Sequence, residues 1–162
     1  MLEFIIIDDD KNGFPKALEI LIRRIRPINS SNSANPLKSW IFEKFEDVFE
    51  IQGCIEERTK QFIAILDIQL DKHGYRKNKP EEIAVKRASI LIEMGCAHVI
   101  LKTGYPNSIN TSIMEALIDQ RVSAKNKRKI TFKPLNASSL NVTLADQLYE
   151  DIVELTRRYN KP

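Results

Sequence analysis

Cysteine and histidine are both scarce, with two of each among 162 residues. Cys54 and Cys96 are isolated thiols, and neither they nor His73 and His98 show metal-ligand spacing. Cys96-Ala97-His98 reads as a chance neighbourhood, so a zinc site and a disulfide framework are both excluded as organising features. The two thiols read as reduced, small apolar residues of a cytoplasmic protein. No apolar run approaches the roughly 20 residues of a membrane span. The first strand starts at the N-terminus and leaves no room for a signal peptide, which again points to the cytoplasm. Charge of one sign is not in excess either. Lysine and arginine number 25 against 22 aspartates and glutamates, for a formal net charge of +3. The basic residues are scattered, and the densest stretch, Lys125 to Lys129, has no interleaved aromatics. It reads as a solvated loop, and nucleic-acid binding is not implied. No internal repeats occur. The length suits one domain, residues 1–162, with a substantial core.

What is present is a pattern of strand ends. The β-branched run Phe4-Ile5-Ile6-Ile7 stops at Asp8, Asp9 and Asp10. A short uninterrupted apolar run reads as a strand buried on both faces. Carboxylates placed where it stops lie at the carboxyl edge of a parallel sheet, where open α/β folds bind ligands. Adjacent carboxylates repel unless a cation sits between them, and Mg²⁺ is the usual choice for a few carboxylates plus a phosphate. Asp is also common in strand-to-helix turns and at helix N-caps, which is the plain alternative. The pattern recurs, however. Phe62 to Leu66 ends in Asp67, Ala97 to Leu101 runs through Lys102 into Thr103-Gly104, and Lys129 to Phe132 ends in Lys133-Pro134. Gathered on one rim, a carboxylate nucleophile, a metal site, a hydroxyl and an ammonium make a phosphoryl-transfer constellation.

Helical spacing fills the intervals. Phe14, Leu18, Leu21, Ile22 and Ile25 form one stripe, closed by Pro27. A polar loop follows from Ser30 to Pro36. A helical turn is expected over residues 37–45, a second strand over 48–52, and only a truncated second helix over 56–61. Pro80 opens a helix with Ile83, Ala84, Ala88, Leu91 and Ile92 on one face and Gly95 as its C-cap. Further helices are expected over residues 107–122 and along Leu144, Leu148, Ile152, Leu155 and Tyr159. The stripes face a core first, with a homodimer seam on the fourth and fifth helices as a secondary reading. The fold expected is a flavodoxin-like three-layer sandwich with a five-stranded parallel sheet in order 2-1-3-4-5, an enlarged loop after helix 1 and a truncated helix 2.

The motifs Ile5-Ile6-Ile7-Asp8-Asp9, Ile65-Leu66-Asp67-Ile68-Gln69-Leu70, Ile100-Leu101-Lys102-Thr103-Gly104 and Phe132-Lys133-Pro134-Leu135 carry a resemblance. The chain resembles the receiver domain of bacterial two-component response regulators. That resemblance implies Asp67 as phosphoacceptor and a Mg²⁺ ion held by Asp8, Asp9, Asp67 and the backbone carbonyl of Gln69. It implies Thr103 as the switch hydroxyl and Lys133 as the cation on the phosphoryl group, followed by a cis peptide bond to Pro134. The phosphoryl donor it implies is a histidine kinase or phosphotransfer protein. Output would come from docking to a downstream protein, since no effector domain follows the last helix. Gln69 and Tyr105 occupy the positions that border the path of attacking water.

The chain also departs from that pattern. The stretch around Pro27 to Trp40 is enlarged, Asp71 stands where many receivers have proline, and Gly74 arrives early. Ile130 occupies the position where receivers commonly carry an inward-turning Tyr or Phe. Two other readings therefore stand beside the first. One is a pseudo-receiver, a protein-binding module without phosphorylation. The other is a haloacid dehalogenase-type phosphatase with Asp8 as nucleophile and Asp10 two residues on, although Lys11-Asn12 departs from that signature and Asp67 would go unused.

Overall fold

A computed structural model describes residues 1–10, 13–25, 36–57, 59–70, 79–104, 109–136 and 143–159. Its centre is a parallel sheet of five strands: β1 (Leu2–Ile7), β2 (Lys38–Phe42), β3 (Gln61–Asp67), β4 (His98–Thr103) and β5 (Ile130–Pro134). The strand order is β2-β1-β3-β4-β5, and every pairing is parallel. This is the flavodoxin-like order expected from the sequence.

Strands β1 and β4 are buried along their whole length and β3 is buried beyond Gln61, which is why they carry no polar alternation. Their residues divide by parity between two cores. Phe4, Ile6, Ile63, Ile65 and Ile100 pack against α1 (Phe14–Arg24) and α6 (Tyr149–Tyr159). Ile5, Ile7, Ala64, Leu66, Val99 and Leu101 face the other layer. That layer holds α2 (Gln52–Glu56), α3 (Pro80–Met94) and α4 (Thr111–Arg121). A single helical turn, α5 (Ala124–Lys127), capped by the Ser123 hydroxyl, interrupts the stretch expected as a loop.

Two expectations are corrected. The second strand is Lys38–Phe42, not residues 48–52, and the helical turn expected before it follows it instead, as a 3₁₀ helix over Phe45–Ile51. Phe45, Val48 and Ile51 recur every three residues, the period of a 3₁₀ helix, and all three are buried in the α3 layer. The β-prone Ser39-Trp40-Ile41-Phe42 pairs with Phe4 to Ile7. The second helical element is short in its α-helical part, as expected, but it begins earlier in the chain.

The second correction concerns Pro134. No cis peptide bond occurs among the described residues, so Lys133–Pro134 is trans. Strand β5 stays extended through it: Leu135 N–H donates to Thr103 O at 2.8 Å, so the nitrogen of Pro134 points to the open sheet edge. There a missing N–H costs no ladder bond. Tyr105, Lys11-Asn12, Ser30 to Asn35 and the Asp71 to Gly74 loop lie outside the described residues.

Candidate functional site

The order 2-1-3-4-5 reverses direction between β1 and β3. The chain leaves β1 toward β2 through α1 on one face, and leaves β3 toward β4 through α3 on the other. That makes their carboxyl ends the topological switch point, the usual ligand position in such sheets. Ile7 pairs with Leu66, which sets Asp8 and Asp67 side by side there. Asp8 continues the ladder, its N–H donating to Phe42 O at 3.0 Å. Gly13, at φ +95°, then turns the chain into α1.

Carboxylate oxygens of Asp8, Asp9 and Asp67 lie within 4.8 Å of one another. Asp8 is 1% exposed and Asp67 8%. Asp8 Oδ1 accepts the Asp10 N–H at 2.8 Å, an Asx turn that fixes its carboxylate. Asp67 Oδ1 accepts a long hydrogen bond, 3.4 Å, from the N–H of Gln69, which keeps the Gln69 backbone beside the site. Burial raises the Asp67 carboxyl from its ordinary value to about 6, against the lowering pull of Lys102, with Asp8 and Asp9 adding to the rise.

Lys102 is the residue that reading the strand ends missed. It is the register partner of Asp67 and shares the α1/α6 face with Ile100. Its ammonium pairs with Asp8 Oδ2 and stands 3.6 Å from Asp67 Oδ1. The ring of Phe14, at the start of α1, lies 4.1 Å from Nζ. The whole residue is 4% exposed. A lysine inside an otherwise apolar strand was itself a signal, because a charge buried on a sheet face requires an opposite charge beside it.

Lys133 pairs in register with Lys102, one strand farther from Asp67. Its ammonium is engaged elsewhere, 2.9 Å from Asp151 Oδ2 on α6. It lines an open groove of about 430 Å³ together with the acidic Asp146, Glu150, Asp151 and Glu154. Thr103, fully buried, ends β4 one residue beyond Lys102 at the same rim. Of the residues singled out in the sequence, Asp8, Asp9 and Asp67 are thus brought together, Gln69 donates its N–H to Asp67, Thr103 ends the strand next to β3, and Lys133 contacts α6.

The donor set suits a hard divalent cation. All three side chains offer carboxylate oxygens, the donors a hard cation takes, and among the described residues the Lys102 ammonium lies against Asp8 and Asp67. No family model matches the chain, and no curated protein matches it significantly. No helix among the described residues is long and apolar enough to cross a membrane.

Proposed function

We propose that the protein is a Mg²⁺-dependent phosphoacceptor that takes a phosphoryl group onto Asp67 from a partner's phosphohistidine and signals by phosphorylation-dependent docking. The observation that carries this reading is the convergence of the Asp8, Asp9 and Asp67 carboxylates at the switch point of a 2-1-3-4-5 sheet. The resemblance of the strand-end motifs to those of receiver domains points the same way.

In the reaction, an ionised Asp67 oxygen forms the new O–P bond. The P–N bond of the donor breaks, and its electron pair returns to the imidazole. With acetyl phosphate as donor, a P–O bond breaks and acetate leaves. Asp67 is the more accessible of the two inner carboxylates, while Asp8 is tied to Lys102 and to the Asp10 N–H. That difference favours Asp67 as nucleophile and Asp8 as ligand. Mg²⁺ held by Asp8, Asp9 and Asp67 would offset the charge gathered on the phosphoryl oxygens. By the resemblance, the hydroxyl of Thr103 at the adjoining strand end would follow the phosphoryl group and bias the loop after β4.

The test is incubation with acetyl phosphate and MgCl₂, read by intact mass. One added phosphoryl group, labile to hydroxylamine and lost in Asp67→Asn, is expected. Labelling that survives Asp67→Asn and vanishes in Asp8→Asn would place the protein with the haloacid dehalogenase-type phosphatases. No labelling by any phosphoryl donor would leave the pseudo-receiver.

A further inference from the structure

We propose that Lys102 is the cation of this site: it serves as an internal counter-ion between Asp8 and Asp67, leaves Asp8 when a divalent ion binds, and turns to the phosphoryl oxygens on Asp67. This is the position in which the resemblance places Lys133. The last step rests on the phosphoacceptor reading; the first two do not.

Register is the first ground. Lys102 is paired directly with Asp67 in the β3–β4 ladder, and both side chains lie on the α1/α6 face. Lys133 stands on the next strand, about 4.8 Å farther across the sheet. Enclosure is the second. The side chain of Lys102 is 6% exposed and that of Lys133 36%. A nearly dry ammonium is worth far more to a developing negative charge than a solvated one. Occupation is the third. Lys133 is held by Asp151, which joins the edge strand to α6, whereas the contacts of Lys102 are the two site carboxylates and the Phe14 ring. The ring fixes where the ammonium rests and adds attraction from its π face.

The consequence is competition. A divalent ion bound by Asp8 and Asp67 brings two positive charges to the oxygens that Lys102 contacts, and like charges at that distance repel. The ammonium is therefore driven off Asp8. The long lysine stem allows it to swing while remaining beside Asp67, where a phosphoryl group would offer it new acceptor oxygens.

The experiment compares wild type with Lys102→Met, Lys102→Arg and Lys133→Met. MgCl₂ is titrated at pH 8, and binding is read from the thermal-unfolding midpoint. Lys102→Met is expected to melt lower without Mg²⁺ and to bind Mg²⁺ roughly tenfold more tightly or better, because the competing charge is gone. Lys102→Arg should restore the metal-free stability and the wild-type affinity, and Lys133→Met should leave Mg²⁺ affinity unchanged. Should Lys102→Met not fold, the wild type still answers. Reductively ¹³C-methylated lysines are followed by NMR, with the Lys102 resonance assigned by its absence from Lys102→Arg. That resonance must move on Mg²⁺ addition while the Lys133 resonance stays. Unchanged or weaker Mg²⁺ binding in Lys102→Met, or a Lys133 resonance that responds in place of Lys102, overturns the proposal. If wild type accepts no phosphoryl group yet Lys102→Met binds Mg²⁺ more tightly, the phosphoacceptor reading fails and the counter-ion role stands. Normal labelling with no effect of Lys102 on Mg²⁺ gives the reverse.

Discussion

Two buried titratable residues, Asp67 and His98, give the metal-free protein opposite responses to pH. Burial raises the Asp67 carboxyl to about 6, so the native state keeps a proton that the unfolded chain releases near its ordinary 3.8. The stabilisation from that proton is complete below about pH 4 and is lost as pH rises through 6. Burial, reinforced by Arg158, lowers the His98 imidazole to about 4 from 6.5. It is held neutral between the Thr131 hydroxyl at 2.8 Å and the Tyr159 hydroxyl at 3.4 Å. Here the unfolded chain binds the proton first. The stabilisation from neutral His98 is complete above pH 6.5 and is lost as pH falls toward 4. Between pH 4 and 6 the two slopes oppose each other. Removing either group should unmask the other: in EDTA, Asp67→Asn should gain stability relative to wild type as pH rises from 4 to 6. His98→Gln should lose stability relative to wild type over the same interval. Urea unfolding at half-unit pH steps measures both differences. Parallel curves for wild type and variants would show that neither group titrates differently on folding.

At the scale of elements, local chemistry sets the boundaries. Helix α3 ends where Gly95 adopts φ +119° and its N–H returns to Ile92 O at 3.0 Å. A Cβ at that position would lie 3.1 Å from the Ile55 carbonyl oxygen, where the end of α2 packs against the cap. Gly95→Ala should therefore cost about 1–2 kcal/mol for the left-handed backbone, plus whatever the α2 contact gives up. Urea denaturation is the check, and a loss under about 0.5 kcal/mol would show that the cap relaxes freely. This cap was legible in the sequence because a glycine after a strong apolar stripe has one reading. The interval from Leu37 to Ile51 was not. Trp40-Ile41-Phe42 and Phe45-Glu46-Asp47-Val48-Phe49 are both short and rich in large apolar residues, and period alone does not separate a five-residue strand from a helical turn of that length. Long-range pairing decides it. Residues 39–42 align with Phe4 to Ile7, and the Trp40 indole N–H donates to the buried Glu3 carboxylate at 2.8 Å. Lys60 reaches the other oxygen of Glu3 at 3.2 Å. Glu3→Gln should destabilise by about 1–3 kcal/mol, since it leaves Lys60 short of its counter-charge at a buried group. A Lys60→Met, Glu3→Gln double variant should recover part of that loss, and strict additivity would show that the pair does not interact.

For the whole molecule, the candidate site is a product of topology. The acidic residues were legible as strand ends, because carboxylates that follow buried apolar runs fall on the carboxyl rim of any parallel sheet. Lys102 was not read because strand ends say nothing of side chains one residue inside them. Only the β3–β4 register shows that it faces Asp67. The same arrangement makes metal binding a matter of global stability. Asp8 and Asp67 meet only when β1 and β3 are paired, so the unfolded chain has no comparable site and a bound divalent ion stabilises the native state by mass action. At a free Mg²⁺ concentration about a hundredfold above the dissociation constant, the gain is about 2.7 kcal/mol. Bound Mg²⁺ would also favour the ionised form of Asp67, bringing its carboxyl down from about 6 and opposing the slope it gives without metal. With saturating MgCl₂, stability should therefore rise with pH from 4 toward 7 more steeply than in EDTA. Asp9→Asn, which removes the most exposed carboxylate of the three, should weaken the Mg²⁺ response while leaving the metal-free melting temperature close to wild type. Melting curves at pH 5, 6 and 7 with and without MgCl₂ are the measurement. An Mg²⁺-induced shift that is the same at every pH and in Asp9→Asn would mean that the ion binds somewhere other than these three carboxylates.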